Sequence, residues 1–351
     1  NAEADASALL QSLGISEDLH EKKMSELDEA LKVKVLLAQA LFGNPDILLL
    51  DEPTNGLDVA TISWLEDFLA DYDKIVIVVS HDRHFLNQVC TQMCDVDFGK
   101  IKMYVGNYDF WLQSSRLAAQ MRADANAKKE EKIKELNDFI ARFSANASKS
   151  KQATSRKKQL EKITLDDIKP SSRKYPFVKF ESQRDLGNDL LRVENVSKTI
   201  DGVKILDNIN FTIRPGEKAA ILSRSDLAQT TMMQILAGTL KPDTGTVKYG
   251  QTVITSSLPR DLDANFNNEE LSILDWLRQY ATKEQNDNTF LRGFLGKMLF
   301  SGDDIQKQIK VLSGGEKVRC MLSKMMLEQG NTLLLDDPTN HLDLESITSL
   351  N

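Results

Sequence analysis

Apolar residues along this chain follow three different rhythms. Ile47–Leu50 and Ile75–Val79 are short unbroken apolar runs, the pattern of strands buried in a parallel sheet. Residues 59–71 between them repeat at helical spacing, so the stretch predicts a strand–helix–strand unit. Residues 1–42 also place Leu and Ala at helical spacing. From Asn107 to Gly187 the chain turns polar and helical, rich in Ala, Lys, Glu and Gln, and Ser144–Ser155 (SANASKSKQATS) interrupts it, so a helical hairpin is expected. From Leu190 the rhythm becomes strand-like, with a turn at Asp201-Gly202. Lys218–Leu222 then reads as a strand, Ser223–Gln229 as a loop and Thr230–Ala237 as a helix. Residues 262–310 are polar and helical, and Val311–Glu316 opens a further helix.

One phrase is written twice. Residues 47–58 read ILLLDEPTNGLD and residues 332–343 read TLLLDDPTNHLD, at a constant offset that sets Asp51 against Asp336. An apolar strand ending in adjacent carboxylates suits nucleoside triphosphate chemistry. The first carboxylate can hold Mg²⁺ on phosphate, and the second can orient or deprotonate a water. Leu312-Ser313-Gly314-Gly315-Glu316 adds two glycines and a hydroxyl at a helix N-terminus, which suits a γ-phosphate. A lone Ser-Gly-Gly is usually a turn; one followed, at the spacing from Ser313 to Asp336, by a carboxylate pair is specific.

With 351 residues the chain has a two-domain length, and 41% hydrophobic and 27% charged residues are ordinary for a globular protein. There is no apolar run of membrane-spanning length and no signal peptide. Cys90, Cys94 and Cys320 cannot form a disulfide framework and read as buried thiols in a reducing, cytoplasmic setting. Asn1 in place of an initiating Met, and an end soon after the second carboxylate pair, predict an internal fragment. The net charge is −8, yet Arg142, Lys149, Lys151, Arg156, Lys157, Lys158 and Lys162 gather around the hairpin turn against Glu161 alone. Most charge runs are solvated linkers, but a one-signed cluster in an acidic protein suits a polyanion.

LSGGE, the repeated acidic phrase and Ser80-His81-Asp82-Arg83 together resemble ATP-binding cassette (ABC) ATPases. NYDFW and then FSANASKSKQATSRKKQLEKI resemble the ABC-F subfamily, in its YbiT-type branch. The resemblance covers nearly the whole chain. It implies an α/β fold of two P-loop NTPase cassettes, both truncated and joined by an α-helical hairpin linker. The expected divisions are 1–106, 107–187 and 188–351. It further implies ATP and Mg²⁺ as cofactors, and a ribosome-associated translation factor. Its linker would reach ribosomal RNA and P-site tRNA through Lys149, Lys151, Arg156, Lys157 and Lys158, with no membrane and no obligate protein subunit. The ATPase subunit of a transporter is the rival reading. It is disfavoured because a basic hairpin, not membrane spans, joins the cassettes.

In the family, each ATP lies between the phosphate loop and carboxylates of one cassette and the signature of the other. The first site would take Asp51 as Mg²⁺ ligand, Glu52 as general base and His81 as γ-phosphate sensor. Its signature would be Ser313, Gly314, Gly315 and Glu316, and its phosphate loop would lie upstream of Asn1. The second site departs from the pattern. The phosphate loop falls on 223–230, where Ser223 and Ala228 replace glycines and Gln229 replaces the lysine. Losing that charge-assisted contact is worth roughly 1.5–3 kcal/mol. Thr230 fits, and Thr231 follows it. Ile200 stands at the adenine-stacking position, Pro259 near the usual glutamine, and Asp337 beside Asp336 replaces the glutamate. The opposing signature is expected near Met24–Glu29, without glycines, and Ser25 stands further ahead of Asp51 than Ser313 stands ahead of Asp336. His20, His84 and His341 read as surface or packing residues, and Trp64, Trp111 and Trp276 as core or hairpin-root packing.

Overall fold

The computed structural model describes residues 2–97, 99–143, 150–161, 173–187, 190–223 and 225–350. Two compact units emerge: Asn1–Asp82 with Lys174–Asn351, and Arg83–Arg173.

The chain opens with α1 (Ala2–Ser12) and, after two single 3₁₀ turns, α2 (Glu29–Leu41). The helical rhythm of residues 1–42 is therefore broken at 13–28. Asp28 caps α2, its carboxylate accepting from the Leu31 N–H at 2.8 Å. Next come β1 (Ile47–Asp51), α3 (Val59–Ala70) and β2 (Ile75–Val79). Strands β1 and β2 pair in parallel, with Asp51 opposite Val79, as the apolar runs predict. They are not buried on both faces, however. Ile47, Leu49, Ile75, Ile77 and Val79 are all more than half exposed, while Leu48 and Leu50 point into the core. Period-two geometry sends alternate side chains to opposite faces, and no described layer covers the second one.

The second unit begins with α4 (Arg83–Val89) and the antiparallel pair β3 (Gln92–Asp97) and β4 (Lys100–Val105). Two helices follow, α5 (Tyr108–Phe143) and α6 (Ser150–Glu161). Helix α6 already contains 150–155, which the sequence reads as part of the break. At the hairpin root Asp95 accepts from Arg173 at 2.6 Å and from the Trp111 indole at 3.4 Å, and the Arg173 guanidinium lies 5.1 Å from the Trp111 ring centre.

From Lys174 the chain returns to the first unit. The Phe177 N–H donates to the Lys297 carbonyl, the Gln183 N–H to Gln329, and Gly187 to the Thr252 hydroxyl, which bonds this stretch into the first unit. Strands β5 (Leu191–Ile200) and β6 (Val203–Ile213) form a hairpin whose turn residues Asp201 and Gly202 both have positive φ, 50° and 78°, as a two-residue turn requires. Helix α7 (Asp226–Leu236) precedes β7 (Thr244–Tyr249), giving the sheet order β6-β5-β7. Then follow β8 (Thr255–Leu258), α8 (Ile273–Arg278), α9 (Asn288–Lys297), α10 (Gly314–Glu328), β9 (Thr332–Leu335) and α11 (Leu344–Leu350), with β8 and β9 parallel. One apolar cluster gathers Leu277, Leu291, Leu295, Met298, Met321 and Leu322. Another joins Val193 and Val196 of β5 to Met232 and Ile235 of α7.

Two expectations fail around residues 218–230. Lys218–Leu222 forms no strand ladder, and Leu222 is 81% exposed. The Ile221 carbonyl, a group a ladder would use, instead accepts from the Gln229 amide at 3.2 Å. Helix α7 also starts at Asp226 rather than Thr230, because Ser225 caps it by accepting from the Ala228 N–H.

A β-bulge in β5 between Glu194 and Ser197 turns backbone carbonyls onto Gly245. Gly245 has φ +87°, and a Cβ there would lie 2.3 Å from the Asn195 oxygen. Gly245→Ala is expected to cost about 2–4 kcal/mol. Gly293, inside α9 with nothing within 4 Å of its would-be Cβ, should gain roughly 0.5–1 kcal/mol on mutation to Ala. Urea midpoints of the two variants check both signs.

Candidate functional site

The repeated phrase folds the same way twice. Glu52 and its counterpart Asp337 both sit in the left-handed region, at φ 47° and 52°. The Asn55 N–H donates to the Glu52 carbonyl at 3.1 Å, and Asn340 to Asp337 at 3.1 Å. Asp58 and Asp343 each accept from the N–H three residues on, capping the next helix. Gly56, at φ 74°, matches His341, at φ 64°.

The same offset corrects the first signature. Asp28 caps α2 as Ser313 caps α10, and the spacing from Asp28 to Asp51 equals that from Ser313 to Asp336. The counterpart of Ser313 is therefore Asp28, not Ser25. Met24–Glu26 is a separate 3₁₀ turn, and Glu29 and Ala30 stand where the other copy has Gly314 and Gly315.

At the first acidic pair, β1 and β2 deliver their residues side by side. Asp51 ends β1 with its side chain exposed, and the Glu52 N–H donates to the Val79 carbonyl at 2.8 Å. His81, just past β2, donates its backbone N–H to Glu52 Oε2 at 3.2 Å and places Nε2 3.4 Å from Oε1. Glu52 Oε1 is buried and makes no hydrogen bond. An exposed carboxylate beside an orphaned carboxylate oxygen fits Mg²⁺, which takes one or two carboxylates and leaves the rest of its shell to phosphate and water.

The second pair is arranged differently. β8 and β9 run parallel, so Asp336 and residues 259–260 emerge together, with the Asp336 N–H on the Leu258 carbonyl at 2.9 Å. Asp336 is buried, and the Thr230 hydroxyl and Arg260 favour its charged form. Burial pushes the Asp336 and Asp337 carboxyls above their usual range, and Arg260 offsets only part of that. The Arg260 guanidinium binds Asp226 at 2.9 Å and approaches Asp337 at 4.0 Å. Neither Arg260 nor Asp226 is legible as a site residue from the sequence; the available signal is a long cation directly after Pro259. Ser223 Oγ accepts from the Ser225 N–H at 3.1 Å, Thr231 is buried, and Ala228 and Gln229 lie inside α7.

At the signature, Ser313 Oγ donates to Glu316 Oε2 at 3.0 Å, the Ser313 N–H donates to the same oxygen at 2.9 Å, and Lys307 lies 3.3 Å from Oε1. Burial works against the Glu316 charge, but Ser313 and Lys307 outweigh it and hold the carboxyl below its usual range. In the hairpin, α6 carries Arg156, Lys157 and Lys158 exposed, with the Arg156 guanidinium 5.8 Å from the Phe139 ring of α5. Lys151 lies in α6, and Lys149 falls outside the described residues.

A family model described as ABC transporter matches residues 1–55 and 206–340, and a second of the same description matches 94–180. The Bacillus subtilis ABC transporter ATP-binding protein YkpA is 62% identical over 350 residues, covering 100% of this chain and 65% of its own length. Escherichia coli O157:H7 YbiT, a probable ATP-binding protein, is 47% identical, covering 100% and 66%. ABC transporter F family member 5 of Arabidopsis thaliana is 30% identical, covering 99% and 50%. This chain is an ATP-binding cassette protein of the F subfamily. It spans about two thirds of the length of the two bacterial relatives. An archaeal ribosome recycling factor, solved with a ribosomal stalk protein, shares the fold at a TM-score of 0.63 and 17% identity, covering 99% of this chain and 59% of the other. The α/β cassette fold read from the sequence thus holds for the ABC-F chain.

In that fold the two signature glycines have a packing reason of their own. A Cβ on Gly314 would lie 2.9 Å from the His341 ring, and one on Gly315 would lie 2.8 Å from the His341 carbonyl oxygen. Gly314→Ala should cost roughly 1–3 kcal/mol. Adding His341→Gly, which removes the ring and suits the positive φ, should recover most of that loss in a double-mutant cycle read by thermal unfolding.

Proposed function

We propose that this ABC-F protein hydrolyses ATP at the site of Asp51, Glu52 and His81, and that nucleotide-driven closure sets its hairpin against ribosomal RNA and P-site tRNA. The observation that carries the hydrolytic part is Glu52 Oε1, buried without a hydrogen bond and 3.4 Å from His81 Nε2. An unsatisfied buried oxygen costs roughly 1–3 kcal/mol, and an open lone pair is what a base needs to take a proton from water. In this reading Glu52 accepts that proton as the water oxygen bonds to the γ-phosphorus and the bond to ADP breaks. The His81 backbone holds Glu52 through Oε2, and the His81 ring faces Oε1 at 3.4 Å. Asp51 would hold Mg²⁺, which supplies charge neutralisation on the phosphates when bound. Ser313, Gly314, Gly315 and Glu316 would present the N-terminus of α10 to the γ-phosphate. The second copy, with Ser223, Ala228, Gln229, Thr230, Thr231, Asp336 and Asp337, is the degenerate site.

The hairpin role rests on chemistry and kinship. Exposed Arg156, Lys157 and Lys158 form a basic stretch in a chain of net charge −8. Among neighbours in fold, one archaeal protein is a ribosome recycling factor and another is ribosome-bound. No helix among the described residues is long and apolar enough to cross a membrane.

In the full-length protein, Glu52→Gln should lower kcat at least about 100-fold and hold the protein on ribosomes in co-sedimentation. Asp337→Asn should leave turnover nearly unchanged. Equal loss in both variants would overturn the one-site reading. Replacing Arg156, Lys157 and Lys158 together with Ala should weaken ribosome binding and reduce the slope of log K against log salt by roughly 2–3. An unchanged slope would remove the RNA contact.

A further inference from the structure

Three carboxylates converge at the second acidic pair, and the cation among them belongs to the chain. Arg260, just past β8, reaches Asp226 in the first turn of α7 at 2.9 Å and Asp337 beyond β9 at 4.0 Å. We infer that Arg260 is the resident counter-ion of this site and excludes a Mg²⁺–nucleotide complex from it. The inference deepens the reading of this site as degenerate and rests on it.

Four features support exclusion over mere weakness. The positive end of α7, which a phosphate loop presents to phosphate, is already faced by Asp226 and capped by Ser225. A phosphate entering there would meet Asp226, Asp336 and Asp337 with a single guanidinium to offset them. A magnesium ion would need Asp336 and the Thr230 hydroxyl as ligands in near-octahedral geometry, but Asp336 is only 8% exposed. Finally, a guanidinium stays charged at every working pH and its planar fork suits fixed carboxylates, so the plug is permanent where a lysine of the phosphate loop would have turned to nucleotide. Gln229 shows the same inward turn, its amide spent on the Ile221 carbonyl.

The test counts metal in the full-length protein carrying Asp51→Asn, which removes the proposed metal ligand of the first site. Mn²⁺ binding, with and without ATP, is followed by electron paramagnetic resonance. With Arg260 intact no tight equivalent should bind at the second site. Arg260→Ala should gain one equivalent at least tenfold tighter, lost again on adding Asp336→Asn, whereas Arg260→Lys should stay closed. If Arg260→Ala does not fold by circular dichroism, Arg260→Gln carries the same expectation. One equivalent of Mn²⁺ with ATP bound to the protein that retains Arg260 would overturn the inference, since Arg260 would then be a nucleotide ligand. A folded neutral variant that gains no metal would overturn it too. Hydrolysis is read separately by turnover of the protein with Asp51 intact, so failure of the general-base role of Glu52 leaves this count unaffected.

Discussion

Just past each acidic strand, a backbone N–H is captured by the carbonyl of a parallel neighbour: Glu52 by Val79 of β2, and Asp336 by Leu258 of β8. That bond lets an apolar strand end in carboxylates without the chain fraying there. It also decides which residues the carboxylates meet, because parallel strands release their next residues on the same edge of the sheet. Next to β1 the edge supplies His81; next to β9 it supplies Arg260. The tight turn after each strand is shared as well, down to the left-handed backbone at Glu52 and Asp337.

The two edges solve the same electrostatic problem in opposite ways. Near Glu52 the balance is left open: one carboxylate oxygen is buried without a hydrogen bond, and Asp51 faces solvent. Near Asp337 a guanidinium of the chain itself stands among the carboxylates and ties α7 to the acidic turn. A site that must receive a cation and a polyphosphate needs the first arrangement. The second gives a folded, self-contained cluster. In the proposed reading the cassettes divide labour, one holding the carboxylates that act and the other lending the capped N-terminus of α10.

Much of this is legible in the chain itself. The parallel pair β1 and β2, the hairpin turn at Asp201-Gly202 and the long hairpin helices follow from periodicity and turn chemistry, which are local. The repeated phrase even carries its hydrogen bonds with it, since matching turn residues impose matching backbone geometry. The first signature is misread from sequence because Ser25 has the right chemistry in the wrong register. Only the helix that Asp28 caps reveals the counterpart of Ser313. The strand expected at Lys218–Leu222 fails because an apolar run forms a strand only where a partner ladder is available.

By itself, the order of residues determined which chemistries are present: two acidic pairs at one offset, a glycine pair at a helix start, and a basic stretch in an acidic chain. Those are properties of neighbours along the chain, and short-range sterics and charge suffice to read them. The tertiary structure alone decided which groups answer one another across the sheet edge. Arg260 and Asp337 are far apart in sequence, and one becomes the other's counter-ion only because β8 and β9 lie side by side. Electrostatic attraction acts over a few ångströms of space, and sequence distance does not measure it.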